Sequence, residues 1–321
     1  MGRVESVSGP DHPDHDRRTI AVALWRMSRP AQLALILLVY GFGVAMGVAH
    51  SDTSDFGGVL TGAAVLLPVA ASVHYANEYA DVQTDALTDR TPFSGGSGAL
   101  VETGLSPRLA ARAAAVAGGL GVVATLLWVS AVGGRTLAPT PVALLFGVLI
   151  LGLQYSVGPL RLAWNGLGGV TNALLGGVAL PLYGFAVVTG TVTAEAALAT
   201  VPFALVVFVN LLETTWPDRH ADAAVGKRTL ATRVAPRTLR IAYVAASLAA
   251  GGTAIALAGS TLPRAVVIGT LVPLVGLAVG AYRFTHRETP YPAVVSMVLV
   301  AVGSTAGWIL VALGDPPTPI A

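Results

Sequence analysis

The chain has 321 residues, of which 54% are hydrophobic and only 11% charged, and its mean hydropathy is +0.71. Soluble domains carry about a quarter charged residues, so this composition excludes a water-soluble globular protein and makes lipid the main solvent. The net charge of +2 says little about partners in such a chain, and the absence of cysteine excludes disulfides, thiolate metal centres, iron–sulfur clusters and cysteine nucleophiles.

Residues 1–29 read as a polar tail and interfacial segment. Asp11, His12, Asp14, His15, Asp16 and Arg17 precede any long apolar run, so no secretory signal is expected, and a short interfacial helix is predicted around 20–27. A membrane-crossing helix needs about 20 mostly apolar residues. Stretches that meet this lie near 31–49, 57–76, 109–132, 138–158, 166–188, 196–216, 239–259, 263–282 and 291–313. The predicted architecture is all-α: a polytopic membrane helical bundle of about nine transmembrane helices over 30–314, followed by a short tail at 315–321. Several spans, 166–177 among them, are rich in Gly and Ala, which lets helix backbones approach closely.

The distribution of Lys and Arg orients these spans. One set of connections holds 17 of the 19 basic residues, and the other holds only Arg135 and Arg264. With nine spans, this places the N-terminus in the cytoplasm of a cell membrane and the C-terminus outside. The outer connections near 50–56, 133–137, 189–195 and 259–263 are short. Two cytoplasmic connections, 77–108 and 217–238, are long and densely polar, and loops set on a rigid scaffold are where function concentrates.

In the first of these, Asn77, Asp81 and Asp85 recur at i, i+4 and i+8. If the second span continues as a helix, they share one face, which Glu78 flanks. Like charges at that spacing repel, and near a membrane they need a neutralising cation. Mg²⁺ takes hard oxygen ligands and commonly joins one or two carboxylates to a substrate's phosphates. The second segment repeats the pattern with Asp218 and Asp222, with Glu213 one turn deeper and Lys227 and Arg228 just beyond. Carboxylates beside cations on one membrane face suit a metal-bridged diphosphate. Either segment alone also reads as an ordinary solvated helix end; the repetition on one face favours the site. The stretch from Gly95 to Gly98, including Ser97, offers backbone N–H groups to an anion, and no P-loop is present.

At these residues the chain resembles the UbiA superfamily of intramembrane prenyltransferases. Asn77, Asp81 and Asp85 match its N-D-x-x-D-x-x-x-D motif, with Glu78 in place of the usual second-position Asp, and Asp218 and Asp222 match its D-x-x-x-D motif. Tyr155, Ser156, Pro159 and Arg161 are similar to the Y-S-x-x-P-x-R stretch that often follows the fourth helix. The resemblance covers roughly residues 20–313 and looks closest to the branch that prenylates 1,4-dihydroxy-2-naphthoate on the way to menaquinone.

The resemblance implies a Mg²⁺-dependent transfer of a polyprenyl group from an allylic diphosphate to an aromatic, quinone-precursor acceptor. Two ions are implied, with Asp81 and Asp85 holding one and Asp218 and Asp222 the other, and with Asn77 and Glu78 as further ligands. Lys227, Arg161, Arg90 and Arg228 would meet phosphate charge. Tyr155 would stabilise a cationic intermediate or orient the acceptor, and Ser97 and Glu213 would touch substrate. The implied partners are the donor, the acceptor and membrane lipid, with no nucleic acid. A carotenoid or glycerol-lipid acceptor and an ion-coupled secondary transporter remain the alternatives.

Overall fold

The structure is a computed structural model that describes residues 16–51, 55–131 and 138–314. The predicted tail at 1–15, the outer connection at 133–137 with Arg135, and the tail at 315–321 lie outside the described residues. Helix α1, Arg17–Met27, precedes α2, Pro30–Val48, and α3, Phe56–Asp85. A short α4, Ala99–Thr103, leads to α5, Arg108–Ala131, and α6, Pro139–Ser156. The fifth span is built in three pieces: α7, Gly168–Leu174; a π-helical turn at Leu175–Ala179; and α8, Leu180–Thr189. Helix α9 is Ala194–Thr215, and the short helices α10, Arg219–Ala224, and α11, Leu230–Arg233, follow it. Three more long helices complete the bundle: α12, Pro236–Ala256; α13, Arg264–Arg283; and α14, Tyr291–Leu313.

Nine helical stretches among the described residues are long and apolar enough to cross a membrane, and no β-strand occurs among them. With α2 taken for the first, since that stretch also includes α1, each matches a predicted span to within a few residues except the second. Helix α3 runs 30 residues, about 45 Å at 1.5 Å per residue, against a hydrocarbon core of about 30 Å. It is thus longer than a crossing requires, and its last turns carry Asn77, Asp81 and Asp85.

Small residues set the packing. Helices α13 and α14 lie against each other so closely that a methyl group built on Gly269 would come within 2.2 Å of the Gly303 carbonyl oxygen. In the Gly-rich fifth span, a methyl on Gly177 would lie 2.4 Å from Ala204 of α9. Without a hydrophobic force between helices in lipid, such contact is what holds them. The outer faces stay apolar and uncovered, as at Leu120, Val123 and Leu126 of α5, each more than half exposed. Helix α1 anchors a second, smaller apolar cluster in which Ala23 and Met27 pack with Ala99, Leu100 and Ala110. This draws the loop after α3 back over the bundle end.

Candidate active site

The two acidic segments, 137 residues apart at Asp81 and Asp218 in the sequence, meet at one end of the bundle. Helix α3 delivers Asp81, which is buried and held from three sides. Asn77 Nδ2 donates to its Oδ2 at 2.8 Å and also reaches Ser156 Oγ at 3.1 Å. Trp164 Nε1 donates to Oδ1 at 3.2 Å, and Lys227 Nζ sits 3.0 Å from the same oxygen. The ammonium also lies 3.4 Å from Asp222 Oδ1, so one cation spans both motifs.

Local backbone explains how these groups arrive. Asp218 occupies the N-cap position of α10 and its carbonyl accepts from the Asp222 N–H at 2.8 Å, so the i, i+4 pair does lie on one helical turn. Gly226, at φ +78°, ends that turn in a conformation open mainly to glycine. The chain doubles back so that the Lys227 N–H donates to the Asp222 carbonyl at 2.8 Å. Next to it, the Arg228 N–H donates to the Trp164 carbonyl at 2.9 Å, which ties the loop after α6 to the loop after α10. Gly96, at φ +61°, presses on Asp85: a methyl there would lie 2.0 Å from Asp85 Oδ2.

The charges are strained in a way that favours cations. Burial, reinforced by the charge of Asp222 and opposed by Lys227, pushes the Asp218 carboxyl up to about 7. Burial raises Asp222 as well, against the pull of Lys227. Burial disfavours the charged form of Lys227, yet Asp81 and Asp222 outweigh it and hold the ammonium above the usual lysine value. Asp218 Oδ1 is buried without a hydrogen-bond partner, which is costly unless a cation or donor meets it. No group of three or more His, Asp and Glu side chains converges on one metal position among the described residues. A hard cation here would take one or two carboxylates from the protein and complete its shell with phosphate and water, which is how Mg²⁺ commonly binds.

Several of the predicted site residues have protein partners of their own. Glu78, predicted as a further metal ligand, is met by Arg29 and Ser97: Arg29 Nε and Nη2 donate to its Oε1 at 2.8 and 2.6 Å, and Ser97 donates its N–H to Oε1 at 2.9 Å and its hydroxyl to Oε2 at 2.5 Å. With four donors and only 2% exposure, Glu78 is a clasp joining the start of α2, α3 and the Gly-rich loop, and it consumes Ser97 as well. Glu213 accepts the Ala293 N–H at 2.7 Å in the first turn of α14, where a carboxylate complements the helix dipole, so it secures the start of α14. Arg90 turns to the half-exposed Glu102 at 3.0 Å.

Arg161 and Arg228 are exposed at the rim and Tyr155 is half-buried. The Arg161 guanidinium lies 3.9 Å from the centre of the Trp164 ring, with Lys227 5.8 Å from the same ring. The sequence reading missed Trp164, Ser156 as a partner of Asn77, and Arg29. Ser156 and Trp164 lie inside or just beyond the Tyr155–Arg161 stretch, and that position was their only signal.

Fold and site together define a polytopic membrane helical bundle that gathers acids and cations of both motifs at one end. The profile of the UbiA prenyltransferase family matches residues 35–298, and the chain belongs to that family; it is an intramembrane prenyltransferase. It is similar to the 1,4-dihydroxy-2-naphthoate octaprenyltransferase of Bacillus subtilis, with 25% identity over 309 residues covering 93% of each chain. Its fold is similar to that of a UbiA homologue from Archaeoglobus fulgidus solved with GPP and Mg²⁺, with a TM-score of 0.66 and 17% identity over 91% of this chain and 99% of that one. It is also similar to a digeranylgeranylglyceryl phosphate synthase structure, with a TM-score of 0.62 and 13% identity over 91% and 99% of the two chains. The transporter alternative falls with the family assignment.

Proposed function

We propose that the chain transfers a polyprenyl group from an allylic diphosphate to an aromatic acceptor of the naphthoate type, with Mg²⁺ as its cofactor. The observation that carries this reading is Lys227, poised between Asp81 of one motif and Asp222 of the other. Two acidic segments and a cation thus share one mouth at the end of an apolar bundle. The Archaeoglobus fulgidus homologue bound to GPP and Mg²⁺ supports the donor and the metal, and the Bacillus subtilis relative supports the acceptor. The strong Lys and Arg bias of the connections supports a cell-membrane setting with the N-terminus and acidic loops in the cytoplasm.

The donor set fits the metal: all oxygens, with a buried carboxylate oxygen of Asp218 lacking a partner. Asp81 and Asp85 would hold one ion and Asp218 and Asp222 a second, with the Asn77 side chain beside the first. When bound, Mg²⁺ supplies Lewis-acid stabilisation of the departing diphosphate. The chain's own residues do the rest. Lys227 meets phosphate charge in a site where it is already largely desolvated, and Arg161 and Arg228 stand at the rim to take what remains. Asn77 and Trp164 fix the Asp81 carboxylate. The allylic C–O bond breaks as diphosphate leaves, and the electron-rich acceptor carbon attacks the resulting cation-like carbon. The ring then regains aromaticity by losing a proton from the attacked carbon or, where that carbon bears a carboxylate, by losing carbon dioxide in the proton's place. The apolar helices exclude the water that would quench that cation, and Tyr155 offers it a ring face.

The test is purified protein given geranylgeranyl diphosphate, Mg²⁺ and one acceptor at a time, with products identified by mass. Prenylated naphthoate is expected. Asp81→Asn and Asp218→Asn should each abolish transfer while still inserting in membranes, and chelation should stop the wild type. Normal turnover by either variant would overturn the clamp, and transfer only to a glycerol phosphate would reassign the acceptor.

A further inference from the structure

The motif end of the bundle carries a second charged feature outside the acidic mouth. An open cleft of about 920 Å³ is lined by Arg240, Tyr282, Arg283, His286, Arg287 and Thr289. Two contacts put it on the same membrane face as the motifs. Arg219, between Asp218 and Asp222, pairs with Glu288 at 2.9 Å, and Phe93 of the Gly-rich loop meets Tyr291 edge-on, ring centres 5.7 Å apart.

The cleft is built by a tight turn. Helix α13 ends at Arg283, Phe284 is buried, and Thr285 adopts φ +67°. The N–H groups of His286 and Arg287 both return to the Arg283 carbonyl, at 2.9 and 3.0 Å. Arg240 joins from α12: its Nη1 donates to Thr285 Oγ1 at 2.5 Å and lies 3.3 Å from His286 Nε2. Among the described residues no carboxylate is within ion-pair distance of Arg240, Arg283 or Arg287, and Glu288 in the same loop is taken by Arg219. One cation would suffice to complement the C-terminal end of α13. Three arginines around one cleft leave positive charge that no carboxylate among the described residues meets.

An apolar track leads into this cluster. Ile268, Val272, Val275, Val279 and Tyr282 follow each other by four, three, four and three residues, which puts them on one face of α13. They are 62, 66, 72, 48 and 84% exposed, so in a bilayer this face meets acyl chains. A strip for chains that ends in guanidinium groups at the water boundary has the dimensions and charge of a phospholipid. Arginine suits phosphate oxygens because its fork can pair with two of them at once, and Tyr282 sits where aromatic rings favour headgroup level.

We propose that this cleft binds the headgroup phosphate of an anionic glycerophospholipid from the leaflet that faces the acidic motifs, with its chains along the Ile268–Tyr282 strip. The test uses the full chain in nanodiscs of phosphatidylcholine alone or mixed with phosphatidylglycerol, and counts retained lipid by native mass spectrometry after detergent extraction. Removing two basic residues that face an anionic headgroup should weaken phosphatidylglycerol retention about 30-fold in Arg283→Gln/Arg287→Gln. The charge-matched Arg108→Gln/Arg112→Gln, on the same membrane face, should retain it. Prenyl transfer in phosphatidylcholine should be unchanged in both. Independently of any variant, phosphatidylglycerol with a photoreactive acyl chain should label the α13 strip of the wild type. Equal loss in both double variants would mean diffuse surface charge and overturn the site. Labelling away from α13, or displacement of the lipid by inorganic phosphate or geranyl diphosphate, would also overturn it.

Discussion

Replacing Lys227 by Gln removes the charge and leaves a neutral polar side chain one atom shorter, so it tests what the ammonium does between the two motifs. The ion pairs at 3.0 and 3.4 Å are each worth about 5 kcal/mol of gross attraction at an effective dielectric near 20. Much of that offsets the cost of burying the charges: the Lys227 and Asp81 side chains are each 11% exposed and that of Asp222 is 2% exposed. Breaking such a buried pair by deleting one partner costs about 3–5 kcal/mol, because the remaining charge is left uncompensated. In Lys227→Gln two carboxylates are left facing each other. The variant should therefore unfold earlier than the wild type in metal-free detergent solution. Mg²⁺ should then stabilise it more, and at lower concentration, than it does the wild type, since the ion no longer competes with the ammonium. Transfer should nevertheless fall, because the diphosphate has lost its buried cation. Thermal unfolding followed across a Mg²⁺ titration, alongside product formation, measures both effects. Wild-type turnover by the variant, or a Mg²⁺ response no stronger than that of the wild type, would refute the assignment.

Trp164→Phe keeps a ring under Arg161 but removes the N–H that reaches Asp81 at 3.2 Å. Losing a hydrogen bond to a charged group should raise the half-saturating Mg²⁺ concentration about tenfold. The change in tryptophan fluorescence on adding Mg²⁺ and diphosphate should shrink against that of the wild type, which has five tryptophans. Gly96→Ala sets a methyl against the Asp85 carboxylate at φ +61°; about 1–2 kcal/mol of backbone strain and a displaced carboxylate should weaken metal binding while membrane insertion persists. Asp218 is pushed up to about 7 from a carboxylate's ordinary value, so the folded protein holds this proton where the unfolded chain has released it. Its contribution to metal-free stability is therefore greatest in acid and is lost as pH rises toward about 7. Mg²⁺ needs the ionised form, so its affinity should rise over the same window, as calorimetric titration at several pH values would show. An affinity independent of pH there would count against Asp218 as a ligand.

Glu78 and Glu213 show where the sequence reading stopped. Spacing put both beside the acidic motifs, and both are indeed buried at that end of the bundle. Their partners are residues far away in the chain: Arg29 for one and the Ala293 N–H for the other. A carboxylate's role depends on which donors reach it, and helical periodicity says nothing about those donors. Trp164 was missed for the same reason, since only the folded loops bring its indole to Asp81.

The amino-acid sequence by itself determined the lipid environment, the spans, the common face of the two acidic motifs and the family likeness. These rest on local hydropathy, on the 3.6-residue period and on motifs that persist wherever the chain folds. The tertiary structure alone decided that Lys227 bridges Asp81 and Asp222, that Glu78 and Glu213 serve as clasps, and that three arginines with no acid paired to them among the described residues surround a cleft at the end of α13. Those facts depend on ångström-scale distances between segments many residues apart, and such distances are set by how the helices pack.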